Sequence, residues 1–201
     1  IPYTRGALRS PFMFKSFVAL SVLGLLGTSC APNAVTTAIA STDLSSQQKT
    51  WNCPECTPEE KYILSQLQES TNIKDRNALA TILGNIKQES NFRANVCEGG
   101  ARVPYDRCYR GGYGIIQWTT PKRYNGLGMF AKKYDCDPSE LTCQTRYMIN
   151  ENIFQKYLPA FEGSGQSVSY YMKPAYRWLG WGIKGKRETY AYNYSKKLVL
   201  S

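Results

Sequence analysis

Glu89 falls where a carboxylate is costly. It stands seven residues after Ile82 and three after Ile86, in a run where Leu79, Ile82, Leu83 and Ile86 follow the 3, 4, 7 spacing of a buried helical stripe. At about 100° per residue it projects within about 20° of Ile82, on the apolar face. The helical period is lost after Phe92, so Glu89 lies near the helix C-terminus, where the macrodipole disfavours negative charge. Desolvation and the dipole both favour the protonated acid, which suits a group that donates a proton near neutrality. A lone Glu so placed can instead pair with a core arginine or fray out to solvent. The chain contains no histidine. That removes the general base of Ser-His-Asp and Cys-His hydrolases and the imidazole ligands of most catalytic zinc sites. Carboxylates, hydroxyls, amides, thiols and cations are left for chemistry, and no cofactor or metal is expected.

The elements that must position Glu89 are marked by their starts. Thr57-Pro58-Glu59-Glu60 is a capping box with proline at the first helical position, and Asp75 can cap the next helix, the one that carries Glu89. Thr120-Pro121 and Asp137-Pro138-Ser139-Glu140 open two more, and a fifth helix is expected around 187–198. Between the second and third helices, 97–120 is rich in glycine and lacks helical period. It ends in Tyr113-Gly-Ile-Ile-Gln-Trp-Thr119, which reads as a hairpin or small sheet. The fold class is α+β, predominantly helical, with a small β-element inserted. Alternation along a regular strand would put Tyr113 and Gln117 on one face and Trp118 on the other, in the core.

The 201 residues suit one domain with a leader. Hydrophobic residues at 42% and aromatics at 13% describe a globular chain. Residues 13–30, with Lys15 ahead of a short apolar run, read as a signal peptide, and that run is shorter than the about 20 residues of a membrane span. Residues 1–12 read as upstream read-through, and 31–50 as a polar, flexible linker. Gly27-Thr-Ser-Cys30 resembles a lipoprotein box, which would anchor the chain by lipid at Cys30, whereas Ala38-Ile-Ala40 fits ordinary cleavage. Setting Cys30 aside leaves Cys53, Cys56, Cys97, Cys108, Cys136 and Cys143, an even six that points to export and three disulfides. Nearest neighbours (53 with 56, 97 with 108, 136 with 143) are the expected partners, because each pair closes a local loop. The net charge of +10 points to a polyanionic partner without choosing among them. After residue 164, seven cations stand against the single Glu188.

Gly84-Asn-Ile-Lys-Gln-Glu89-Ser90-Asn-Phe92, followed 22 residues after Phe92 by Gly114-Ile-Ile-Gln117-Trp118-Thr119, resembles the lysozyme-like superfamily. Within it the pattern is similar to the phage tail lysozyme group and its lytic transglycosylase relatives. The resemblance covers 77–133 and implies a lysozyme-like helical domain on 51–201 with a β-hairpin insertion. It implies an enzyme, a muramidase or lytic transglycosylase, that cleaves the β-1,4 bond between N-acetylmuramic acid and N-acetylglucosamine in peptidoglycan. Glu89 would be the general acid, with Ser90, Tyr113 and Gln117 lining the cleft and Tyr113 and Trp118 able to stack on sugar rings. The location implied is periplasmic, lipid-anchored, or secreted and virion-associated.

Glycosidases commonly use two carboxylates, and the candidates for the second are Asp106 and Glu98. Asp106 is flanked by Arg102, Arg107 and Arg110, which suits a surface ion pair. A lytic transglycosylase needs no second acid, since the same Glu can take the proton of the muramoyl 6-hydroxyl. A non-catalytic wall-binding or phage tail structural module with the same fold is the alternative. Nucleic acid is not expected as a partner of an exported, cystine-stapled chain, and a monomer is expected. The basic aromatic C-terminus, from Tyr170 through Trp181 to Tyr194, reads either as a wall-guiding surface or as a helix pair with aromatic core residues and solvated lysines.

Overall fold

The computed structural model describes residues 49–109 and 111–201. The leader, Cys30, the cleavage site and all but the last two residues of the linker lie outside the described residues. The described chain opens and closes on one short antiparallel ladder. Strand β1 (Trp51–Asn52) pairs with β2 (Val199–Leu200), with Trp51 opposite Leu200, and the Ser201 N–H donates to the Thr50 carbonyl at 3.0 Å.

Helix α1 (Pro58–Ser70) begins on the expected capping box: the Glu60 N–H donates to Thr57 Oγ1 and the Thr57 N–H to Glu60 Oε2. Asp75 accepts from the Asn77 and Ala78 N–H groups to start α2 (Arg76–Ser90), and Thr120 caps α3 (Pro121–Tyr134). The fourth start differs from expectation. Asp137 accepts from the Ser139 N–H and forms only a turn, and α4 (Leu141–Asn150) begins past it. Helices α5 (Asn152–Phe161) and α6 (Val168–Leu179) carry Pro159 and Pro174 inside them, which blurs the periodic signal in sequence; α5 was not expected. Helix α7 (Arg187–Lys197) is the closing helix. Tyr171, Trp178 and Tyr194 are buried while Tyr170, Tyr176 and Tyr192 are exposed, as the helix-pair reading predicts for α6 and α7. No helix among the described residues is long and apolar enough to cross a membrane.

The segment between α2 and α3 is not a regular sheet. It is held by three isolated bridges, Val96 with Arg102, Cys97 with Tyr113, and Tyr113 with Trp118. A 3-10 turn at Tyr105–Arg107 interrupts it. Disulfides join Cys53 to Cys56, Cys97 to Cys108 and Cys136 to Cys143, the nearest-neighbour set. With little ladder to order it, the loop relies on the Cys97–Cys108 bond, whose Cα atoms are 5.6 Å apart.

Helix α2 is the centre of the core and packs most extensively on α7. Gly84 makes that approach possible: a Cβ there would lie 2.7 Å from Ala191 Cα and 2.9 Å from the Arg187 carbonyl oxygen, both backbone atoms of α7. A polar cluster ties α2 both to α1 and to the later turns of α7. Glu60 accepts from Lys87 Nζ at 3.3 Å and from the Tyr194 hydroxyl, and Lys87 lies over the rings of Tyr190 and Tyr194. Burial alone would raise the Glu60 pKa. The hydrogen bonds from Tyr194 and the Thr57 backbone, with the charge of Lys87, outweigh it and hold the carboxyl below its ordinary range. Burial, and then the Glu60 carboxylate, push the Tyr194 phenol up.

Two outcomes follow for stability. Gly84→Ala should cost about 1–3 kcal/mol, because the added methyl meets backbone that moves only with the whole helix; a melting temperature equal to the parent's would show that α7 does not lie this close. A depressed carboxyl contributes stability that is present above its unfolded value and lost as pH falls through the folded one. The parent should therefore lose more stability than Glu60→Gln on acidification below about pH 4.5. Denaturant midpoints at pH 3 to 7 measure this, and parallel curves for the two proteins would contradict it.

Candidate active site

Glu89 stands in the last turn of α2, with Asn91 closing the helix in the left-handed region at φ 53°. Phe92 follows at φ 63°, a conformation that costs a bulky residue of order 1–3 kcal/mol. Its buried ring, edge-on to Tyr194 at 6.2 Å, holds it there. A third non-glycine residue with positive φ, Gln117 at 51°, lies in the segment that docks on this helix end. Backbone strain thus concentrates where α2 meets the Gly114–Gln117 turn.

That turn replaces the regular strand expected for 113–119. The Gln117 N–H donates to the Gly114 carbonyl at 3.1 Å, and Tyr113 and Trp118 exchange backbone hydrogen bonds across the base. Alternation therefore does not apply, and Tyr113 does not share a cleft face with Gln117. Tyr113 is fully buried, donates its hydroxyl to the Val103 carbonyl at 3.1 Å and packs edge-on against the stacked rings of Tyr105 and Tyr124. It is a core residue and offers no face to a sugar. Trp118 is in the core as expected, its indole N–H 3.4 Å from Glu151, which Arg123 grips through two nitrogens at 2.6 and 2.7 Å.

Ser90 and Gln117 brace the site. The buried Ser90 hydroxyl donates to the Ile115 carbonyl at 2.8 Å, fixing the turn to the end of α2. Gln117 Nε2 donates to the carbonyls of Gly114 (2.9 Å) and Val96 (3.2 Å). A residue that the sequence did not suggest completes the brace. Gln144 of α4, fully buried, accepts from the Ile115 N–H at 2.9 Å and donates to Ala94 and Pro138 carbonyls at 2.8 and 2.7 Å. Gly114 must lack a side chain there, since a Cβ would lie 2.7 Å from Gln144 Cδ, and its φ of +77° suits glycine.

The second-carboxylate candidates are placed apart in role. Glu98 is exposed and accepts from the Gly112 N–H at 2.9 Å, stapling the glycine-rich loop. Asp106 is exposed in the 3-10 turn and forms no salt bridge among the described residues.

Of the alternatives that the sequence leaves open for Glu89, the structure shows the pairing with a core arginine. Glu89 Oε1 accepts from Arg187 Nη2, and the two side chains retain 15% and 6% of their exposure. Arg187 comes from the first turn of α7, brought within reach by the close α2–α7 crossing. Its Nη1 donates to the Ile183 and Lys184 carbonyls at 2.8 and 2.9 Å, and its guanidinium lies 4.7 Å from the centre of the Trp181 ring. The sequence showed Arg187 only as one cation in a basic stretch, with no local signal for its partner 98 residues away. Oε2 of Glu89 takes no hydrogen bond among the described residues. The arrangement can hold a carboxyl in a fixed pose, with one oxygen gripped and the other available to a proton.

No curated protein and no solved structure matches the chain. The phage tail lysozyme family matches residues 59–197, from the first turn of α1 to the last residue of α7, and so takes in Glu89, its arginine and the braced turn together. The chain belongs to the phage tail lysozyme family.

Proposed function

We propose that this chain cuts the glycan strand of peptidoglycan at the β-1,4 bond between N-acetylmuramic acid and N-acetylglucosamine, with Glu89 as the general acid. Family membership points to peptidoglycan-lytic activity. The observation that carries the finer reading is the pose of Glu89: a helix-end carboxyl with Oε1 on Arg187 and Oε2 unbonded, beside a strained, heavily braced turn. Oε2, the oxygen that Arg187 leaves unbonded, is the one placed to pass a proton to the glycosidic oxygen as the bond breaks. The guanidinium then stabilises the carboxylate left behind, which is charge stabilisation by a preorganised group. In lytic transglycosylation the same carboxylate next takes the proton of the muramoyl 6-hydroxyl and an anhydro end forms. In hydrolysis water supplies the oxygen, and a second carboxylate, from Asp106 or Glu98, would assist. Ser90 and Gln117 act by holding the turn against Glu89. The three disulfides fit an exported protein, and the signal segment 13–30, with lipidation at Cys30 or cleavage after Ala40, is part of the same proposal.

The ion pair also favours a second reading, in which Glu89 only anchors α7 and the domain binds wall or serves as a tail component. Glu89→Gln separates the two. The amide keeps the shape and an acceptor for Arg187, so folding should survive with a loss of about 1–3 kcal/mol. Release of muropeptides from purified wall should fall at least about 100-fold. A folded variant that digests wall at the parental rate would leave Glu89 only its anchoring role and move the chemistry elsewhere, whereas a parent chain that binds wall and releases no muropeptides would establish the non-catalytic reading. Mass spectrometry of the released fragments reports the chemistry, with reducing ends for hydrolysis and anhydro ends for transglycosylation.

Gln117→Ala should lower turnover about ten- to a hundredfold, since it loosens the turn without removing the acid. Loss as complete as that of Glu89→Gln would assign Gln117 a direct part in bond cleavage.

A further inference from the structure

Behind Arg187 lies a groove that the proposed cleavage does not use. It has a volume of about 420 Å³ and is lined by Met172, Lys173, Tyr176, Arg177, Trp181 and Lys184, from α6 and the loop that leads to α7. Two rings, three cations and no acid face it. Tyr176 and Trp181 meet edge to face at 5.2 Å, and Trp181 is seated on a small apolar cluster of Val168, Met172 and Ala191. Lys184 is paired with Glu188 along the chain. Lys173 and Arg177 are exposed and form no salt bridge among the described residues. Trp181 connects this groove to the acid, because the guanidinium packed on its ring is the one that grips Glu89.

A site of this composition selects an anion with an apolar body. Cations attract the charge, while ring faces and the methionine accept carbon surface that water would otherwise cover. Resting on the peptidoglycan reading, we propose that the groove is a subsite for the carboxylate-bearing peptide stem attached to the glycan strand near the bond to be cut. Lys173 and Arg177 hold the stem carboxylates, and Tyr176 and Trp181 cover its aliphatic part. Arg177 can hold a carboxylate through two nitrogens at once, whereas Lys173 acts as a point charge. Occupancy would press on Trp181 and steady the arginine behind it.

The test compares purified glycan strands that bear uncrosslinked peptide stems with the same strands stripped of stems by an amidase. Binding is measured with the native full-length chain and again with Glu89→Gln, so that neither cleavage nor a weakened variant hides the result. The stem-bearing strands should bind about tenfold more tightly, the size expected for hydrogen bonds to a charged group. In Lys173→Gln/Arg177→Gln, with a parental melting temperature, the preference should shrink to about twofold or less. Equal binding of the two strands by the native chain, or an undiminished preference in the double variant, overturns the subsite while leaving the cleavage proposal intact. Binding to neither strand overturns both.

Discussion

Gly84 leaves the backbones of α2 and α7 to meet with no side chain between them, and the pose of Glu89 depends on that meeting. A crossing this close sets where the first turn of α7 falls along α2, and the residue that falls there is Arg187. Its guanidinium is fixed on several sides by the carbonyls of 183 and 184, the Trp181 ring and Glu89. Few of its rotamers survive these constraints, so the carboxylate it grips is equally confined. Moving α7 outward by the width of a methyl group would leave a half-buried carboxylate and a buried guanidinium each short of a partner, which is costlier than the packing loss itself.

The end of α2 carries two ion pairs. Lys87 bridges to Glu60 of α1, and Arg187 reaches Glu89 from α7. They differ in what surrounds the carboxylate. Glu60 is saturated, accepting from a backbone N–H, an ammonium and a phenol, and so serves as a rivet between helices. Glu89 accepts a single hydrogen bond on one oxygen. The contrast assigns architecture to one and leaves the other open to chemistry. Strain also collects beside Glu89: Asn91, Phe92 and Gln117 hold left-handed backbone that the packing of Phe92 and the hydrogen bonds of Ser90 and Gln144 offset.

The region between α2 and α3 is ordered by individual bonds more than by regular structure. Three isolated bridges, one disulfide, the Glu98 staple to Gly112 and the buried Gln144 replace a continuous ladder. Such a segment can present a sharply turned backbone at a helix end, which a flat strand cannot. The same economy makes side-chain amides matter there, since each satisfies backbone groups that no ladder neighbour reaches.

Local chemistry determined much of this protein from the sequence alone. The Thr57, Asp75 and Thr120 caps, the apolar stripe of α2, the helix-end place of Glu89 and the short-loop disulfides all depend on residues within about a dozen positions of one another, so spacing suffices to read them. The family motif was legible for the same reason, since Glu89-Ser90 and the 114–119 run are local patterns. Features that depend on distant partners were not legible. Nothing near Glu89 in sequence names Arg187, nothing near Gly114 names Gln144, and Tyr113 reads as cleft or core until it packs against the stacked rings of Tyr105 and Tyr124. Helix α5 hid behind its internal proline, which breaks the periodic signal while the surrounding core still holds the helix. The sequence therefore determined which acid lies at the helix end, and the tertiary structure decided what that acid touches, because an ion pair spanning 98 residues exists only once two helices have packed.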